Sequence, residues 1–162
     1  MIALRRILVP HDFSETSDAA VNYAVALAKS FGAKLHLLHV GDKIRSEMAT
    51  EFPLGLDESL EDAVRERLVK ILTPHDQMDL KPVFEVRGGT PSVEILAYAK
   101  EHEIDLIVMG THGRGFVGHV VMGSVAEKVV RYATCPVLTV HQSDRAVVVP
   151  AELMAEAKRA AV

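Results

Sequence analysis

The 162-residue chain carries 18 Lys and Arg against 22 Asp and Glu, a formal net charge of -4, with 49% hydrophobic and 25% charged residues. That is the length and composition of one ordinary globular domain, and it excludes a disordered or fibrous chain. The acidic balance argues against a nucleic-acid partner, and the lone Cys135 cannot form an internal disulfide. After Arg5 and Arg6 the apolar run is only Ile7-Leu8-Val9, too short for a signal peptide. No run approaches a membrane span either, so a cytoplasmic protein with no membrane association is expected.

In chain order, short apolar runs alternate with longer stretches of helical period. Ile7-Leu8-Val9, closed by Pro10, reads as a strand apolar on both faces, as strands covered on both sides must be. A helix follows, with Ala20, Ala24, Leu27, Ala28 and Phe31 on one stripe, Ser14, Thr16 and Ser17 offering cap oxygens, and Gly32 at its end. Leu35 to Val40 is the second strand. Gly41 to Gly55 has no clear period and reads as a mobile loop. The second helix places Leu60, Val64, Leu68, Ile71 and Leu72 on one face and is expected to stop at Pro74.

Val83 to Val86 forms the third strand. Thr90-Pro91 then signals a helix start, with Val93, Leu96 and Ala97 following. Leu106 to Met109 is the fourth strand, a helix runs from Ser124 through Val125, Val129 and Tyr132 to about Ala133, and Val137 to Val140 is the fifth strand. Strands alternating with helices imply parallel pairing through right-handed crossovers. The expected fold is therefore α/β: an open, doubly wound, parallel five-stranded sheet, order 3-2-1-4-5, with helices on both faces. The domain is expected to end near residue 141. Residues 142–162 form an extension in which 146–149 reads as a short strand and 151–162 as a possible helix.

In such a sheet ligands bind beyond the carboxyl ends of the strands, where the connections change direction, here between the first and fourth strands. Both strand ends are unusual. One reads Pro10-His11-Asp12-Phe13-Ser14, and the other has four glycines between Gly110 and Gly118. A loop so rich in glycine lets backbone N–H groups approach an anion closely. The helix opened by Gly123-Ser124 adds free N–H groups and a positive dipole end. Arg114 could neutralise phosphate charge or simply be solvated. A phosphate-bearing ligand fits this arrangement.

Gly113-x-Gly115-x-x-Gly118 matches the dinucleotide fingerprint by letter, but it follows the fourth strand and no acidic residue for a ribose stands about 20 residues on. A Walker A loop is absent from the sequence. The wider pattern Gly110-x2-Gly113-x9-Gly123-Ser124 is similar to the nucleotide-binding signature of the universal stress protein family. The segments 7–14, 105–113 and 135–140 resemble that family's first, fourth and fifth strands with their turns, and the likeness spans residues 1 to about 141.

The resemblance implies a five-stranded α/β fold that binds ATP or another adenine nucleotide and is usually a homodimer through the last strand. For this chain that strand is 137–140, with 146–149 as a candidate extension. Carried over by position, Pro10, Asp12 and Val40 would hold the adenine and ribose, with His11 standing where many members have a small residue or Thr. Met109, Gly110, His112 and Gly113 would line the ribose and first phosphates. Gly123, Ser124 and Val125 would cap the phosphates, and Mg²⁺ would be bound through those phosphates.

Bland readings compete at several positions. Ser124-Val125-Ala126-Glu127 has the form of a capping box, in which Ser124 would satisfy helical donors without a ligand. Asp12 could cap the first helix rather than meet a ligand. Alternation places His36 and His39 on opposite sides of a strand, so they cannot share a metal, and no metal site is expected. No residue has the partners of a general base. A stress-response or signalling module is the leading reading; a slow ATPase and a nucleotide-free dimeric scaffold are the alternatives.

Overall fold

The computed structural model of the chain describes residues 3–41, 56–111 and 122–141. In chain order it contains β1 (Arg6–Pro10), α1 (Glu15–Phe31), β2 (Lys34–Gly41), α2 (Leu56–Val69), α3 (Pro74–Leu80), β3 (Val83–Gly88), α4 (Pro91–Glu101), β4 (Leu106–Gly110), α5 (Ser124–Tyr132) and β5 (Val137–Val140). The five strands form one parallel sheet in the order β3-β2-β1-β4-β5, as the alternating pattern requires.

Alternation along the strands divides the core in two. Ile7, Val9, Leu35, Leu37 and Val108 face Ala20, Ala24 and Ala28 of α1 and Leu68 of α2. Leu8, Leu38, Ile107 and Met109 face Ile95, Tyr98 and Ala99 of α4 and Ala126 and Val129 of α5. Chain direction therefore reverses at β1: the sheet grows one way through α1 and α2 on one face, then the other way through α4 and α5 on the opposite face. That reversal opens the crevice between β1 and β4. Opposite that crevice, the Asp105 carboxylate accepts the N–H groups of Arg5 and Arg6 at 2.8 and 2.9 Å, tying the start of β1 to the start of β4.

Local signals account for most of the boundaries. Ser14 caps α1 by accepting from Ser17 N–H, and Gly32 ends it in the left-handed conformation at φ 65. Several faces differ from the expectation. Phe31 is exposed rather than buried, because the three alanines of α1 already fill the sheet contact at close range. On α4 the buried face is Ser92, Ile95, Tyr98 and Ala99, and Val93 is exposed; Tyr132 of α5 is also exposed.

Pro74 does more than stop a helix. α2 ends at Val69, and Thr73 accepts from Asp76 N–H to start a further helix, α3, with Pro74 in its first turn. The same Thr-Pro signal that marked α4 was present at Thr73-Pro74. Ile71 and Leu72 pack against the α1 side of the core from the intervening turn. The loop at 42–55 and the extension at 142–162, with its expected strand and helix, lie outside the described residues. Among the described residues no helix is long and apolar enough to cross a membrane.

Candidate functional site

Parallel pairing places Val40, Pro10 and Gly110 at the same carboxyl edge of three adjacent strands. The turn after Pro10 is built around Asp12. One carboxylate oxygen, Oδ1, accepts from Ser14 N–H at 3.1 Å, from the Ser14 hydroxyl at 2.5 Å and from the Ser17 hydroxyl. Burial pushes the Asp12 carboxyl up, but the Ser14 and Ser17 hydrogen bonds outweigh it and hold the group below its ordinary value. Asp12 is thus ionised at neutral pH and spends Oδ1 on the helix start, while Oδ2 makes no bond among the described residues. The two readings of Asp12 are compatible: one oxygen organises the turn, and the other is open to a ligand hydroxyl.

His11 behaves differently from its neighbours in the expected site. Its ring is buried, Nδ1 accepts from Phe13 N–H at 3.1 Å, and Nε2–H therefore donates to Asp18 at 3.0 Å. Burial lowers its basicity despite Asp18, so it is a neutral brace of the turn. Its carbonyl accepts from His39 Nδ1–H at 2.8 Å. Phe13 takes φ 64, costly for a side chain of that size. Its ring is held between His11 and His39 with Arg67 lying 4.1 Å from the ring centre, which keeps the strained turn in place. His36 and His39 do lie on opposite faces, as alternation requires.

On the β4 side, Met109 is buried against Leu8 and Ile107. Gly110 is a place where a side chain would not fit: a Cβ there would lie 2.9 Å from the Thr16 backbone. α1 thus approaches the end of β4 directly, and Gly110→Ala must push the two apart. That substitution is expected to cost about 1–3 kcal/mol, read as a melting temperature lower by several degrees. Unchanged stability would mean that the approach is not tight.

Thr111, which sequence reasoning passed over, joins three elements. Its N–H donates to Val140 O at 3.0 Å, its carbonyl accepts from Gly123 N–H at 2.6 Å, and its hydroxyl pairs with His141 Nδ1 at 2.9 Å. The start of α5 is thereby fixed beside the end of β4.

The capping box is not formed. Gly123 is the N-cap and makes no side-chain cap; Ser124 is the first helical residue and is exposed. The first intrahelical bond runs from Glu127 N–H to Gly123 O, so the N–H groups of Ser124, Val125 and Ala126 have no intrahelical acceptor. A capping side chain would have consumed one of these donors. Without it, the helix start presents main-chain donors and its positive dipole end toward the crevice edge. Pro10, Asp12, Val40, Met109, Gly110 and the Gly123–Val125 segment are thus gathered on one edge, while His112, Gly113 and Arg114 lie outside the described residues.

A doubly wound sheet with an ionised turn at one strand end and an uncapped helix start beside the next defines a crevice-type α/β protein. The universal stress protein family model matches residues 3–141, and the chain belongs to that family. It is 33% identical over 141 residues to the universal stress protein MJ0531 of Methanocaldococcus jannaschii, covering 84% of this chain and 81% of that one. It is 30% identical over 159 residues to MJ0577 of the same organism, covering 88% and 98%. The solved structure of MJ0577 superposes with a TM-score of 0.75, over 88% of this chain and 99% of that one at 28% identity. A universal stress protein solved in complex with cAMP shares the fold at TM-score 0.61 and 22% identity, over 87% and 99%.

Proposed function

We propose that this chain is a nucleotide-responsive stress or signalling module that binds ATP, or a related adenine nucleotide, in the β1/β4 crevice. The observation that carries this reading is the pairing of the Asp12 carboxylate, ionised and with Oδ2 uncommitted among the described residues, with an α5 start that no side chain caps. The first suits a ribose hydroxyl, which donates, and the second suits phosphate oxygens, which accept. Pro10 and Val40 border the base, Met109 and Gly110 the ribose, and Gly123, Ser124 and Val125 the phosphates. Gly113, by its place in the signature, completes the phosphate loop with His112 before it and Arg114 after it as a neutralising cation, and Mg²⁺ is carried on the phosphates. His11 serves from behind, by holding the turn that presents Asp12. That the fold holds an adenine nucleotide in the protein solved with cAMP supports the reading. The module acts as a homodimer through β5, an edge strand whose Leu138 is exposed, and works in the cytoplasm.

Calorimetric titration of nucleotide-stripped protein with ATP and Mg²⁺ tests the reading, and saturable binding in the micromolar range is expected. Asp12→Asn separates the two duties of that side chain. An amide oxygen can still accept from Ser14 and Ser17, while the ligand-facing oxygen becomes an N–H donor. Melting is expected to change little, and affinity to fall roughly tenfold or more. No heat at millimolar ATP, or an Asp12→Asn variant that binds like wild type, would overturn the assignment.

A further inference from the structure

At the opposite edge of the sheet, a cavity of about 220 Å³ lies among Arg6, His36, Glu101, His102 and Glu103. His36 is only 6% exposed, on the face of β2 turned toward α4, and lies roughly 13 Å along the strand from Val40. Its Nδ1 lies 2.9 Å from the Tyr98 hydroxyl, and it is the only partner that hydroxyl has among the described residues. Burial, with the Glu85 and Glu101 charges, raises Tyr98 to about 12, so the phenol keeps its proton. Because Nδ1 is the one acceptor within reach of the hydroxyl among the described residues, we assign the phenol as donor to Nδ1 and the imidazole proton to Nε2. Among the described residues Nε2 has no protein partner, yet no buried side-chain polar atom is left unsatisfied, so Nε2–H opens onto the cavity that His36 lines.

We propose that this cavity is a second binding site, for a small oxyanion (a carboxylate or a phosphate), held by His36 Nε2–H and the Arg6 guanidinium. Arg6 spends only one nitrogen, Nη1, on Glu103 at 2.8 Å and on His102 O at 3.3 Å. Its Nε and Nη2 donors remain, on a side chain 43% exposed. The neighbouring carboxylates are already matched: Glu103 by Arg6, and Glu101 by Arg87 at 2.6 Å. At the end of α4, Tyr98 O accepts from His102 N–H, Ala99 O from Ile104 N–H and Lys100 O from Glu103 N–H. The negative end of the helix dipole lies here, so the charge of Arg6 is what an anion would need.

Burial first, then the charges of His102, Lys34 and Arg6, depress the basicity of His36, so its ring is neutral and offers a hydrogen bond rather than a charge. His102 stacks on Tyr98 at 4.0 Å between ring centres and 5.7 Å from the His36 ring, closing one wall. A divalent cation fits poorly, because Nε2 carries the proton and no group of three or more ligand-type side chains that could hold a metal occurs among the described residues.

The site is independent of the nucleotide crevice, and the experiment keeps them apart. Full-length protein with labelled histidine rings is titrated with inorganic phosphate and, separately, with acetate, at constant pH and ionic strength, while the His36 ring nitrogens are followed by NMR. Saturable movement of Nε2 is expected, with the same midpoint in the Gly123→Val variant. Arg6→Met should weaken it at least about tenfold through loss of a charged hydrogen bond. Glu103→Gln, which removes the carboxylate competing for Arg6, should tighten it several-fold. Saturation by acetate alone identifies a carboxylate site, and saturation by both probes a general oxyanion site. A linear response to both, a response unchanged in Arg6→Met, or a His36 ring protonated on Nδ1 would overturn the proposal.

Discussion

Gly123→Val is expected to abolish the proposed ATP binding, weakening it by about 100-fold or more, roughly 2.7 kcal/mol, while leaving the fold and the proposed dimer in place. Gly123 stands at φ -68 and ψ 151, a conformation that valine adopts freely. It contributes no side-chain cap that could be lost, and its N–H bond to Thr111 O is a backbone bond that any residue but proline can make. The substitution instead sets a branched side chain beside the Ser124, Val125 and Ala126 N–H groups, where phosphate oxygens must approach closely. Calorimetry with ATP and Mg²⁺ reads the loss, and light scattering reads the dimer. A variant that binds as tightly as wild type would remove α5 from the site. One that loses binding only together with its melting transition would make Gly123 a structural residue.

Acid should destabilise the fold well before the carboxylates titrate. His36 has an ordinary pKa of 6.5 and is held down to about 4, by burial first and then by His102, Lys34 and Arg6. The sign follows from proton counting. Above pH 6.5 both folded and unfolded chains hold a neutral His36, and the group contributes nothing. Between 6.5 and 4 the unfolded chain takes up a proton that the folded chain refuses, so stability falls as pH falls, by on the order of 3 kcal/mol over the full interval. His11, also lowered by burial, adds in the same direction. Denaturant unfolding at a series of pH values from 7 to 4 measures the slope. His36→Asn, which retains an acceptor for the Tyr98 hydroxyl, should flatten the slope while lowering absolute stability through the space it leaves. A wild-type midpoint constant from pH 7 to 5 would contradict the assigned burial of His36.

Both residues show where the chain is legible and where it is not. The glycine spacing that leads to Gly123 is visible in the letters, since a residue without a Cβ leaves main-chain N–H groups open to close approach. The capping reading of Ser124 was equally visible and failed, because the Gly123 N–H bond to Thr111 O draws the helix start back by one residue. Nothing in the sequence around His36 distinguishes it from any histidine on a strand. Its role depends on Tyr98 and His102, 62 and 66 positions away, which reach it only after the β3–α4–β4 crossover has closed.

The amino-acid sequence by itself determined the strand and helix alternation, the sheet order that such alternation permits, and the edge where the unusual turns collect. These follow from local periodicity, proline and glycine geometry and crossover handedness, all readable from near neighbours. Only the tertiary structure decided which face of α4 is buried, that Thr73-Pro74 starts a helix, that His11 turns inward, and that one oxygen of Asp12 stays available. The buried face of α4 and the inward turn of His11 depend on packing between elements distant in sequence, which outweighs a preference of a few tenths of a kcal/mol per residue. The Thr73–Asp76 cap and the Ser14 and Ser17 bonds to Asp12 are instead local and show their geometry only in the folded turn.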